Sequence, residues 1–193
     1  MRTYPSGDAH PALQSSLGLL LLAGLLLPPI RRAAESGMSS HMLVQYPLLL
    51  LAGALLVGSV PQRWQRRVQP WNELGIAGLL AGAVAMAVLM VPRVLDLALV
   101  DARVESLKLL ALVVSGALLR LSWTPAGTVV QAFFLGNVLP MLVVVGTLYR
   151  DSPSRLCNAY LLDDQQNLGS ALVWVAVGIL GVWLLRLGRQ KPR

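Results

Sequence analysis

In the stretch "SGMSSHMLVQYPLLLLAG", Met38, His41 and Gln45 are spaced i, i+3, i+7, so one helical face can carry all three. Met42 follows directly on His41, and the chain has only two histidines to place. Thioether and imidazole donors together favour Cu(I) among biological metals. Met38, His41 and Met42 therefore form a chemically sensible copper set, with Met90, at the end of a later apolar run, as a candidate fourth ligand. A plainer reading stands beside it. Methionine is common in apolar helices, and a single histidine at a membrane boundary commonly serves as an interfacial polar residue. In that case no cofactor is needed.

The elements that must position these residues are apolar helices. Of 193 residues, 55% are hydrophobic and only 13% are charged, too apolar and charge-poor for an ordinary soluble domain. About six blocks have the length that crosses a bilayer core. They run Leu13–Ile30, His41–Val60, Leu74–Val91, Leu107–Trp123, Val129–Leu148 and Leu168–Leu185. An all-α, polytopic transmembrane bundle follows, a single membrane domain over residues 1–193 with little beyond connecting loops. A cleaved leader is the rival reading of the first block, but Arg31 and Arg32 fall where a cleavage region should be uncharged.

The net charge of +7 does not point to nucleic acid. Basic residues gather before the first block (Arg2), in "RWQRR", at Arg120 and in the tail to Arg193, while the opposite loops mix basic and acidic residues. Counting Lys and Arg alone, this modest bias predicts both termini in the cytoplasm, with lipid as the partner of the basic charge. Trp64 and Trp71 fit headgroup depth.

Local signals fill in the connections. Ser39 or Ser40 is a plausible N-cap for the second helix, and Pro47 should kink it. Gly78 and Gly82 form a GxxxG pair suited to close packing. "PRVLDLALVDARVESLK" reads as an amphipathic segment at the outer surface, and Trp123, Thr124 and Pro125 as a tight turn. Asp163 and Asp164 read as ordinary caps of the last helix.

Most site classes are absent. One cysteine, Cys157, excludes an internal disulfide and any CxxC motif, and is expected to be a small residue in a loop. There is no HExxH, P-loop, GxGxxG or GxSxG, so no enzyme is expected. His10 falls at the other side from His41, which argues against a bis-histidine haem. The span centres carry almost no charge, which weakens a permease, although Gln131 and Asn137 keep that class open.

The order of motifs resembles the CtaG family of caa3-type cytochrome c oxidase assembly factors. "SHMLVQYPLLLLAG" is similar to that family's HMxxHxLL helix opening. "VPRVLDLALVDARVESLKLLALVVSGALLRLSW" resembles its proline-led outer segment and following helix, and "DDQQNLGSALVW" its DQQ entry into the final helix. The likeness runs over about residues 36–185. It implies a membrane assembly or accessory protein for a copper-containing respiratory oxidase, with copper at the outer face on Met38, His41, Met42 and Met90. Gln45, Glu105, Asp164 and Gln165 would then orient the ligands or meet the partner. The chain departs from the family at its imidazoles. Gln45 stands at the second histidine, Met90 or Val91 precedes Pro92 where histidine is usual, and Glu105 and Leu109 replace a histidine pair. That loss supports the alternative of a metal-free structural subunit of a larger membrane complex.

Overall fold

Proline and glycine decide where the apolar runs bend. The computed structural model describes residues 11–189, so Arg2, His10, Lys191 and Arg193 lie outside the described residues. The first helix, α1 (Pro11–Leu26), stops before the Pro28-Pro29 pair, and α2 (Pro28–Ala34) turns away from it by 77°. The expected span to Ile30 is thus shortened to Leu26, because the prolines withhold the amide donors that would continue the helix.

The second span begins earlier than expected, at α3 (Met38–Ser40). It passes through a π-helical turn, His41–Gln45, into α4 (Tyr46–Leu56). The wide turn lies immediately before Pro47, where a missing N–H and the ring would otherwise collide with the preceding carbonyls. It takes up the kink that Pro47 predicts. A short helix, α5 (Gln62–Val68), follows, with Trp64 exposed and the Arg67 guanidinium 5.2 Å from its ring centroid.

The third span is α6 (Ile76–Leu89), which bends by 75° into the amphipathic α7 (Pro92–Val100). The expected close packing is present at Gly78, where a methyl would strike the Ser122 hydroxyl, but not at Gly82, where a methyl would make only ordinary contacts with Leu119. Beyond it, α8 (Ala102–Asp151) contains one non-helical residue, Gly127, with φ 62° and ψ 177°. The chain reverses there. The rings of Trp123 and Phe134 lie 6.4 Å apart, and Gln131 donates to the Trp123 carbonyl over 2.7 Å. A straight helix would separate those two aromatic residues by about 16 Å. The expected turn at Trp123–Pro125 is therefore moved to Gly127, a position with the left-handed φ that glycine tolerates. The last helix is α9 (Leu162–Arg189).

All regular structure among the described residues is helical. Three helices are long and apolar enough to cross a membrane, or five segments if each bent pair counts as one, with α8 taken as a single helix. Large side chains such as Leu20, Leu80, Val129, Phe133, Trp174 and Leu185 face outward. A surface so apolar suits acyl chains, not water.

Candidate functional site

A buried ionic cluster occupies the end of the bundle where α2 closes, the π-turn begins and α8 starts. Its centre is Lys108, 1% exposed and two turns into α8. The Lys108 ammonium lies 2.7 Å from Glu105 Oε2, 3.2 Å from Gln45 Oε1 and 3.4 Å from Glu35 Oε1. It also lies 2.8 Å from His41 Nε2. An ammonium only donates, so Nε2 of His41 accepts and the ring is neutral. The proton sits on Nδ1, which donates to the Tyr160 hydroxyl over 2.7 Å, and that hydroxyl donates to the Glu35 carbonyl at 3.2 Å.

Local structure aims these groups inward. Met38, His41 and Gln45 are all fully buried, so the shared face expected from their spacing turns to the bundle interior. Glu105 and Lys108 are i, i+3 neighbours on the first turns of α8. Glu35 caps the end of α2, and Gln45 Nε2 donates to its Oε1 over 3.2 Å. Burial acts to raise the Glu35 carboxyl, but the Gln45 hydrogen bond and the Lys108 charge outweigh it, leaving Glu35 below the ordinary carboxylate value. Burial pushes the Tyr160 hydroxyl up, with the Glu35 charge adding to it.

The remaining expected residues have other tasks. Asp164 does not serve its own helix first. Its carboxylate accepts from the amides of Met38 and Ser39 and, over 2.5 Å, from the Ser39 hydroxyl, so it caps the second span from across the bundle. Gly37, not Ser39 or Ser40, occupies the N-cap position there. Gln165 is buried and ties down the last loop, accepting from the Leu156 amide at 2.7 Å and donating to the Tyr149 carbonyl at 3.1 Å. Cys157 sits in that loop as expected but is buried against the Pro92 carbonyl. Burial, with the Asp96 charge, pushes its thiol up to about 12.

Met42 and Met90 line a separate apolar cavity of about 1040 Å³, together with Met86, Met141, Trp123 and Phe134. Met38 and His41 are not part of that lining. The four donors nominated for copper are thus divided between two environments. The set does not fit Cu(I) as it stands, because both nitrogens of its single imidazole are taken and a cation already occupies Nε2. Among the described residues, no group of three His, Cys, Asp or Glu is placed to hold a metal.

Glu35, Lys108 and Tyr160 are the members that spacing alone passes over. Lys108 carried one signal, a lysine three residues after Glu105 and inside the apolar run "SLKLLALVV". Glu35 and Tyr160 carried none, since a loop glutamate and a loop tyrosine are ordinary. Fold and site together define an α-helical protein with helices long and apolar enough to cross a membrane and a buried ionic cluster at one end of the bundle. No protein-family model, curated protein or solved structure matches the chain.

Proposed function

We propose that this protein is a non-enzymatic accessory of a larger membrane complex in a bacterial inner membrane, and that it serves as scaffold without itself holding copper. The order of motifs favours a copper-containing respiratory oxidase as that complex. Both termini would lie in the cytoplasm, with the ionic cluster at the outer face. The basic end supports that orientation: Arg120 pairs with Gln14 there, and Arg186 lines one pocket with the Gly127 turn.

The observation that carries the metal-free reading is the engagement of His41. To ligate copper, its ring would have to give up either the Lys108 ammonium or the Tyr160 hydroxyl, and a cation at Nε2 would stand against the buried ammonium, whose like charge repels it. The test is Cu(I) loading of the purified chain under reducing conditions, beside His41→Ala. The expected result is the same background copper content in both. Stoichiometric retention by the wild-type chain, lost in the variant, would restore the copper-holding role. Purification of the tagged protein from native membranes should recover a stable complex in constant ratio, whereas a transient assembly factor would come away free of it.

A further inference from the structure

We propose that Glu35 and Glu105 hold a single proton between them against the Lys108 ammonium, making this end of the bundle a proton-binding site. The proposal rests on a shortage of donors and an excess of negative charge.

Four acceptors crowd one ammonium: Glu105 Oε2, His41 Nε2, Gln45 Oε1 and Glu35 Oε1, all within 3.4 Å. An ammonium has only three protons to give. Glu105 is the loser. Its side chain is 9% exposed, yet neither carboxyl oxygen receives a hydrogen bond, so its contact with Lys108 is an ion pair without hydrogen-bond alignment. A carboxylate so deeply buried normally has donors on both oxygens.

The charges do not balance either. Two carboxylates face one ammonium, since His41 is neutral when its Nε2 accepts from Lys108. Arg31 does not make up the difference. It stands 3.9 Å from Glu35 at the rim, its side chain is 39% exposed, and it makes no hydrogen bond through Nε.

The other titratable neighbours are committed elsewhere. Tyr46 and Tyr149 donate to the carbonyls of Leu89 and Met90, and Tyr160 to that of Glu35. Asp164 accepts at the start of the second span, and the Cys157 thiol rests on Pro92.

One proton on Glu105 answers both shortages. The proton turns one of the two partnerless Glu105 oxygens into a donor facing the Glu35 carboxylate, and the excess charge disappears. The proton comes from a hydronium ion of the solvent at the bundle end, entering past Glu35, whose side chain is 14% exposed; one hydronium O–H bond breaks, the carboxyl O–H forms and water is left. Glu35 is then the port and Glu105 the holder.

The test is infrared difference spectroscopy on the full chain in lipid nanodiscs at neutral pH. A carbonyl-stretch band of a protonated carboxylic acid is expected, shifting in heavy water. Either Glu105→Gln or Glu35→Gln should abolish it, because the one remaining carboxylate is matched by Lys108. Glu73→Gln, at an exposed loop position, should leave it intact. Circular dichroism and the melting midpoint establish that each variant is folded. Should Glu105→Gln not fold, the wild-type band and Glu35→Gln decide the matter. Absence of the band in the wild-type chain, or its survival in both glutamine variants, overturns the proposal. So does a band that appears only when sodium is withdrawn, since the site would then take a metal cation.

Discussion

Lys108 illustrates how little a residue type says before its neighbours are known. A lysine near the start of an apolar helix would ordinarily extend its ammonium to the headgroups. Here it turns inward and holds Glu35, His41, Gln45 and Glu105 together. Replacing it by methionine keeps the length but leaves the one negative charge of the Glu35 and Glu105 pair without a cation. Lys108→Met should therefore cost about 3–5 kcal/mol, read as a fall in denaturant or thermal midpoint, whereas the paired change Lys108→Met with Glu35→Gln should recover part of that loss. Cys157 offers a second check at this scale. Its thiol is buried and pushed up to about 12, so it stays protonated through neutral and mildly alkaline conditions. Maleimide should leave it unlabelled at pH 8 in the folded protein and label it fully after denaturation in detergent; rapid native labelling would contradict the buried placement. The site was legible only in part, for the same reason. His41 and Gln45 stand out because polar groups at i, i+4 in an apolar run are rare, but their partner Glu35 comes from a loop whose direction only the Pro28–Pro29 bend decides.

Close helix crossings set the next scale. The α4 and α8 backbones meet at Gly53 and Gly116. A methyl on Gly53 would land on the Val113 carbonyl, and one on Gly116 on the Leu50 carbonyl. The contact is reciprocal, so neither side can yield without moving a helix. Gly116→Ala should destabilise the bundle by about 1–3 kcal/mol through overpacking, measured by the melting midpoint in detergent. Gly181→Ala, where nothing lies within 4 Å, should be neutral or slightly stabilising because alanine is the better helix former. Equal effects at both positions would remove the case for a backbone crossing. The existence of the long helices was readable, since apolar runs of membrane length have few alternative fates, but α5 forms in a polar stretch expected to be a loop. Helix ends were not readable. The first span stops early at Pro28, the second starts early because Asp164 caps it from another helix, and the reversal falls at Gly127 instead of Trp123–Pro125. The first depends on a local proline pair, the second on a partner far away in the chain and the third on one residue's φ, and hydropathy sees none of them. Gly78 was identified as a packing residue through its GxxxG spacing, whereas Gly53 and Gly116 lie on different helices and share no local pattern.

The whole molecule has two unlike ends, and this asymmetry should decide how it sits in the bilayer. α9 opens with Asp163 and Asp164 and closes with Arg186 and Arg189, so its charges also oppose its helix dipole favourably. Its 28 residues would extend about 42 Å, enough to carry both charged ends beyond a hydrocarbon core of about 30 Å. The end with Arg120, the Gly127 turn and Arg186 is basic, and the opposite end holds the ionic cluster and the acidic start of α9. Orientation follows Lys and Arg in short loops, so the basic end should remain in the cytoplasm. Alkaline phosphatase, active only outside the cytoplasm, provides the measurement. Fused within residues 152–161 it should be active, and fused after Arg189 it should be inactive. Neutralising Arg63 and Arg67 together should lower that contrast, because the bias they support is modest. The reverse pattern of activity would place the cluster in the cytoplasm, and the proton at Glu35 and Glu105 would then exchange with the cytoplasmic side.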